Sequence, residues 1–311
     1  MPSSIVTRTS VIRFLCLGIA GLLALQHCFN TVYLFELTGS LLLVQFGLAL
    51  GFFIIGALLN DRWTALSSVV AIALSAPQLI TSVTSPTMED AEKHLSLVQA
   101  NIFHHNPNFE KALVCLMIQE TDVITIQELN SEWAPEILKT LKPIYPYFHE
   151  EYQDTCCYGI GIYSKHPISN SRSILIEGVF AIEIRLELPH GELTIFSQHT
   201  LPPAFPNRTD ERNRQLEELS GLIRVTSDPV IALGDFNVVP WDPVMKRFLK
   251  TSGQTRIHSG FQATYPMDLG LPLIPIDHVT YSSQLLPTAC ESFTIPGSDH
   301  KGILASFRFK E

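Results

Sequence analysis

Two hydrophobic regimes divide the chain. Three long apolar runs occupy the first eighty-odd residues, and short apolar segments that end in polar residues fill the rest. Residues 11–28, 41–59 and 63–83 each approach the roughly 20 residues needed to cross the hydrocarbon core of a bilayer. The second run has no formal charge. The third contains Pro77 and is diluted by Ser67, Ser68, Ser75 and Gln78. Asp61-Arg62 leaves only a tight turn between them. The pattern predicts an N-terminal membrane region over residues 1–84 with two to three transmembrane helices. A cleaved signal peptide is the rival reading of the first run, but no small-x-small cleavage site stands out.

Lys and Arg placement orients the crossings. Arg8 and Arg13 favour a cytoplasmic N-terminus, the Phe29 to Ser40 loop has neither Lys nor Arg, and Arg62 suits the inside. Three crossings deliver the rest of the chain to the non-cytoplasmic side of an inner or plasma membrane. If the third run does not cross, that part is cytoplasmic.

After an acidic linker over residues 85–94 (Glu89, Asp90, Glu92), the apolar period changes. Residues 95–101 read as a strand ending in Asn101, and 109–120 carry Leu113, Leu116 and Met117 at helical spacing. Val123 to Ile126 is a strand running into Gln127-Glu128, and 131–141 a helix with Ser131 as cap. Residues 158–164, 179–188 and 193–199 are further strands, the last two joined by a turn at Pro189-His190-Gly191-Glu192. A charged helix over 209–225 precedes the apolar strand Val230-Ile231-Ala232-Leu233, which runs into Gly234-Asp235-Phe236-Asn237. A short helix over 242–250, a strand from Ile276 and a last apolar segment over 303–307 complete the chain. Strand and helix alternate, so residues 95–311 read as an α/β domain.

Composition sharpens the division. The chain is 46% hydrophobic and only 16% charged, as membrane segments require. Residues 1–84 hold three arginines against two acids; of the chain's 21 basic and 30 acidic groups this leaves 18 and 28, a net of −10 for the remainder. An acidic domain is not built for tight, non-specific binding of a nucleic acid backbone, although a local basic groove would escape this count. The six cysteines match no zinc or redox spacing, and Cys156-Cys157 reads as a pair of small apolar residues.

The strand ends carry the chemistry. Asn101, Glu128, His199, Asp235, Asn237, Asp277, Asp299 and His300 all fall at or just beyond strand termini. Any one is explained by turn formation; eight at corresponding positions point to a site. The order Gln-x-Asn, Gln-Glu, His-x-x-x-Pro, Gly-Asp-x-Asn, Asp-His and Ser-Asp-His resembles the endonuclease/exonuclease/phosphatase superfamily, over about Leu95 to Phe309. That group includes deoxyribonucleases, abasic-site endonucleases, inositol polyphosphate 5-phosphatases and neutral sphingomyelinases, and the membrane-anchored layout is similar to a bacterial branch of it.

The resemblance implies a four-layer α/β sandwich of two packed mixed β-sheets flanked by helices. It also implies hydrolysis of a phosphate ester by in-line attack of water with Mg²⁺ or Mn²⁺, hard ions for which one or two carboxylates suffice. Glu128 corresponds to the family's metal-binding Glu, with Asn101 and Asp299 beside it. Asp235 would orient and deprotonate water, and Asn237 would hold the phosphate or that carboxylate. Asp277 would orient His300, which would bind phosphoryl oxygen, and His199 would serve as general acid. Tyr265, in a substrate-side loop, would stack on a base, cover a headgroup or simply pack. Arg212 and Gln215 match a helix-bracing pair, and His278 reads as structural. The leading function is a membrane-anchored phosphodiesterase. A nuclease acting on DNA or RNA, a lipid phosphodiesterase acting on a phospholipid headgroup, and a non-catalytic tethered binding module are the alternatives. No protein partner can be inferred.

Overall fold

Each apolar run of the N-terminal region folds as helix in the computed structural model, which describes residues 2–29, 32–83, 87–88, 92–268, 270 and 272–310. Half of the expected linker, residues 85–86 and 89–91, lies outside the described residues. The chain divides into two compact units, Met1–Thr84 with Trp241–Pro243, and Ser85–Pro240 with Val244–Glu311.

In the first unit, α1 spans Pro2–Cys28, α2 Tyr33–Gly39, α3 Leu42–Leu58 and α4 Arg62–Val83. Ser10–Cys28 and Arg62–Thr81 are long and apolar enough to cross a membrane. At 17 residues, α3 rises only about 25 Å, short of a hydrocarbon core of roughly 30 Å. The second expected run reaches spanning length only together with α2, to which α3 is joined at a 69° bend. The serines that dilute the third run turn inward. Ser67 and Ser68 are buried against Cys16 of α1, with Sγ–Oγ distances of 3.1 and 3.0 Å, the small polar contacts that let apolar helices pack closely. Arg13 forks onto Asp61, Nε to Oδ2 at 3.2 Å and Nη2 to Oδ1 at 2.9 Å. This holds the Arg13 end of α1 at the turn between α3 and α4.

In the second unit, one sheet is built from β1 (Leu95–Asn101), β2 (Val123–Gln127), β3 (Tyr147–Glu151), β4 (Ile160–Ser164), β11 (Leu285–Thr294) and β12 (Lys301–Phe309). The other uses β5 (Ile168–Ile176), β6 (Val179–Leu188), β7 (Gly191–Gln198), β8 (Val230–Asp235), β9 (Thr255–Ile257) and β10 (Asp277–Tyr281). Their orders are β11-β12-β1-β2-β4-β3 and β5-β6-β7-β8-β10-β9. β1–β2 and β7–β8 pair in parallel and the other pairs are antiparallel, so both sheets are mixed. Four helices flank them: α5 (Phe109–Met117), α6 (Ala134–Thr140), α7 (Pro206–Val225) and α8 (Pro243–Ser252). Asn130, rather than Ser131, caps the turn that leads into α6, its Oδ1 accepting from Glu132 N.

Period-two alternation supplies two faces to every central strand. Leu97, Ile162, Ile184, Ile195, Leu233 and Val279 share one core between the sheets. Val98, Ile124 and Ile126 face the opposite way, against Leu113, Leu116 and Trp133 of the helical layer. On the other sheet Phe196, Ala232 and Phe236 meet Leu216, Leu219 and Phe248. Burying one such side chain contributes about 1.5–3 kcal/mol, and three stacked cores make the four-layer sandwich. The junction from β8 into its loop needs glycine. Gly234 has φ +142°, and a Cβ there would sit 1.9 Å from Gln198 O, a distance no side chain tolerates.

Candidate functional site

Register brings the strand ends together. Asn101 closes β1 opposite Gln127 of the parallel β2, so Asn101 and Glu128 emerge at the same edge. Asp235 closes β8 and faces Asp277, the first residue of antiparallel β10, directly across the ladder. His199 follows β7, which runs parallel to β8, and His300 immediately precedes β12, antiparallel to β1. Ligand chemistry gathers at such carboxyl ends of parallel strands.

Asn101 is the bridge. Its Nδ2 donates to Glu128 Oε1 at 2.9 Å and to Asp235 Oδ2 at 3.2 Å, while its Oδ1 accepts from Phe103 N at 3.0 Å. The other Glu128 oxygen accepts from His104 N at 2.6 Å. Glu128 and Phe103 have φ of 69° and 65° and Asn237 has 47°. Positive φ costs energy in non-glycine residues and concentrates where function demands a particular direction. Here it turns the Glu128 carboxylate back toward Asn101.

Asp235 is 2% exposed. Its Oδ2 lies 3.5 Å from His199 Nε2 and 3.7 Å from His300 Nε2, and its Oδ1 accepts from Asn237 N at 3.0 Å. Burial, joined by the Asp277 charge, raises its pKa to about 6 against the opposing pull of His300 and His199. Burial works against the His300 cation, but Asp277 Oδ2 at 2.7 Å from Nδ1 prevails and lifts the imidazole to about 10. Asp277 is held below the usual carboxylate range: burial opposes this, while His300 and the hydrogen bonds from His300, Thr264 and Gln99 outweigh it. His199 Nδ1 lies 3.0 Å from Cys157 O; a carbonyl only accepts, so that nitrogen carries the proton and Nε2 faces Asp235.

The remaining expected residues take different places. Asn237 spends its amide on Thr200 O at 2.9 Å, fixing the loop. The Tyr265 ring packs beside His300, centroids 4.8 Å apart. Asp299 is half-buried, and its Oδ1 has no hydrogen-bond partner among the described residues. Burial raises its pKa, with Glu128 adding to the effect and His300 opposing it. Arg212 and Gln215 are buried on α7, where Arg212 Nη1 donates to Asn237 O at 2.6 Å and Gln215 Oε1 accepts from Leu201 N at 2.8 Å. Asp235, Asp277 and His300 present ligand atoms within 4.8 Å of one another. However, the two Asp277 oxygens already accept from His300 and Gln99, so that trio is an ion-pair network first.

Gln99, the glutamine of Gln-x-Asn, was given no role by strand-end reasoning. Its Nε2 donates to Gln127 Oε1 at 2.8 Å and to Asp277 Oδ1 at 2.9 Å, tying one sheet to the other beneath the site. Its place two residues before Asn101 on the same strand face was the available signal. Ser298, the serine of Ser-Asp-His, donates its hydroxyl to Asn101 O at 2.7 Å; the Cys157 carbonyl had no signal. The six cysteines are free, and burial pushes the Cys157 thiol up to about 12.

A cleft of about 580 Å³ is lined by His104, His105, Phe109, Asn130, Glu132 and Asp154 among others, and the His104 N–H on its wall is the one that donates to Glu128. Its described lining contains no Lys or Arg.

Residues 97–300 match the sequence profile of the Endonuclease/Exonuclease/phosphatase family. No curated protein matches the sequence. Among solved structures, TDP2 of D. rerio complexed with a single-strand DNA product superposes with TM-score 0.58 at 19% identity, over 69% of this chain and 98% of that one. Sphingomyelinase C from Streptomyces griseocarneus gives 0.54 at 14%, over 70% and 99%. A mutant beta toxin from Staphylococcus aureus with bound magnesium ions gives 0.53 at 17%, over 68% and 99%. At these identities the likeness is one of fold.

Proposed function

The chain belongs to the endonuclease/exonuclease/phosphatase family and is a phosphoester-cleaving hydrolase; from that premise we propose that it is a membrane-anchored, divalent-metal-dependent phosphodiesterase. The observation that carries this reading is the buried Asp235, set between His199 Nε2 and His300 Nε2 and joined through Asn101 to Glu128.

The donors present fit a hard cation. Glu128 and Asp299, whose Oδ1 has no hydrogen-bond partner among the described residues, offer carboxylate oxygens, the donor type that Mg²⁺ and Mn²⁺ prefer. Asn101 presents nitrogen to the centre and oxygen to Phe103 N, so in this arrangement it aims Glu128 instead of adding a ligand. A bound cation would supply Lewis-acid stabilisation of charge on the phosphoryl oxygens.

The protein's own groups account for the proton movements. Asp235 takes a proton from the attacking water as the new P–O bond forms. His300, cationic up to about pH 10, stabilises a phosphoryl oxygen through Nε2. His199, its Nδ1–H held by the Cys157 carbonyl, presents Nε2 to the leaving oxygen and serves as the general acid as the old P–O bond breaks. Asn237 and Asp277 are positioning groups, for Asp235 and His300 respectively. Tyr265 shields His300 and borders the substrate.

The cleft lined by His104 and Asn130 favours one substrate class. Two carboxylates and no Lys or Arg among its described lining residues suit an uncharged or cationic polar group better than a polyanionic strand. With a membrane anchor, that points to phospholipid headgroup diesters. Purified full-length protein is expected to cleave bis(p-nitrophenyl) phosphate with Mg²⁺ or Mn²⁺, to lose this in EDTA, and to prefer sphingomyelin-type diesters over DNA, RNA and inositol phosphates in one panel. Activity persisting in EDTA would sink the metal reading, and preferential cleavage of DNA or RNA the substrate reading.

Anchoring through α1, the bent α2–α3 pair and α4 puts the C-terminal end of α4 on the side opposite Arg13 and Arg62. The Arg13–Asp61 fork supports one level for both arginines, and their charge favours the cytoplasmic face. The catalytic unit is then non-cytoplasmic. Protease added to intact spheroplasts should digest it; protection until lysis would reverse the topology.

A further inference from the structure

Asp277 and His278 are neighbours on β10 and point to opposite faces of its sheet. Asp277 faces the site, where it holds His300. His278 faces the helical layer, fully buried, and nothing in the mechanism uses it. Its contacts are specific. Nε2 lies 2.7 Å from Val238 O, and Nδ1 accepts from Arg256 Nε at 3.0 Å. Arg256 sits on the edge strand β9, paired with Thr280 of β10, and is 7% exposed.

The chemistry leaves one arrangement. An arginine Nε–H only donates, so His278 Nδ1 must be the bare nitrogen and Nε2 must carry the hydrogen donated to Val238 O. Burial, reinforced by the Arg256 charge, pushes the His278 pKa down to about 3, which keeps this neutral form. Val238 directly follows Asn237, whose own carbonyl accepts from Arg212 Nη1 at 2.6 Å and whose N–H is held by Asp235 Oδ1 at 3.0 Å. Asn237 holds a φ of 47°, a left-handed turn that needs outside support. With the Asn237 amide on Thr200 O at 2.9 Å, four contacts therefore grip two successive residues of the loop that follows Asp235.

We propose that Arg256 and His278 form a buried positioning relay, in which Arg256 fixes the tautomer of His278 and His278 holds the Val238 carbonyl, so that the loop aims Asp235 at the attacking water. Both are positioning residues, since neither touches the reacting atoms. The dipeptide Asp277-His278 thus sets both halves of the site, the phosphate-binding histidine from one face of β10 and the water-activating loop from the other. This rests on the reading of Asp235 as the group acting on water.

The test uses full-length protein and bis(p-nitrophenyl) phosphate. His278→Phe keeps a ring and removes both hydrogen bonds. His278→Gln keeps the pair, its amide oxygen accepting from Arg256 and its amide nitrogen donating to Val238 O. Misaiming a catalytic group by about 1 Å costs on the order of 10²-fold. His278→Phe should therefore lose about 10- to 100-fold in kcat with KM nearly unchanged, the pattern of an interaction made in the transition state. His278→Gln should recover most of it at a similar Tm. Arg256→Met, which frees the tautomer and leaves His278 in place, should lower kcat in the same direction and serves if the Phe variant does not fold. A folded His278→Phe with parental kcat, Phe and Gln variants equally slow, or Arg256→Met at parental kcat would each overturn the relay. Should Asp235→Asn retain full activity, the mechanism itself has failed; should Asp235→Asn be dead and the relay variants unaffected, only the relay has.

Discussion

Asp235→Asn is expected to lower kcat by about 10²- to 10⁴-fold, the range that removing a general base spans, while the protein stays folded. The substitution keeps the shape and the acceptor for Asn237 N, but it removes the charge that, in the proposed mechanism, draws a proton from water. It also sets an amide facing His199 Nε2 and His300 Nε2. The parent enzyme carries a matching pH signature. Asp235 has its pKa raised to about 6 by burial and the facing Asp277, and only its ionised form accepts a proton. Activity should therefore rise with pH toward a limb near 6; a cation held at Glu128 would lower that limb further. Steady-state kinetics on bis(p-nitrophenyl) phosphate, with a thermal melt to certify folding, decide the matter. A folded Asp235→Asn enzyme with parental kcat would remove Asp235 from the mechanism.

Asp277→Asn should move the pH profile as a whole. Burial alone would discharge His300; Asp277 at 2.7 Å overcomes it and holds the imidazolium to about pH 10. On the proposed role of His300 as a cation at a phosphoryl oxygen, activity in the parent should fall only as pH rises through about 10. Without the Asp277 charge the His300 pKa drops toward the ordinary histidine value of roughly 6.5, and each unit of that drop is tenfold in the charged fraction above the limb. The variant should lose on the order of 10²-fold at pH 9 and much less at pH 6. The same change removes a charge that raises Asp235, so the acid limb also moves down. Both limbs shifting to lower pH in kcat/KM is the diagnostic; a profile superimposable on the parent's would show that Asp277 does not set the state of His300.

The legibility of the fold followed burial. β1, β2, β4, β6, β7, β8, β10 and β12 are the interior strands of the two sheets, and each carries an apolar signal in the sequence. The four strands without a readable signal, β3, β5, β9 and β11, are the four sheet edges. An edge strand is paired on one side only and left partly open to solvent, so its side chains need not alternate. β3 reads Tyr-Phe-His-Glu-Glu and is exposed or half-buried throughout; β11 contains Pro287 at a register shift, which a central strand would not accept. In the N-terminal region, composition identified the apolar runs but not the bend that joins α2 to α3.

The sequence by itself determined the apolar helices, the α/β order and the set of polar strand ends, because periodicity and strand-terminal chemistry are local properties of the chain. The tertiary structure alone decided which of those groups meet. Register sets Asp235 against Asp277, and only that juxtaposition, with His300 in reach, separates their pKa values. The same is true of groups that act across long sequence separations: Gln99 reaching Asp277, Asn101 donating to both Glu128 and Asp235, and the Cys157 carbonyl fixing the His199 proton. Burial and electrostatic coupling depend on distances in space, and no pattern along the chain encodes them one residue at a time.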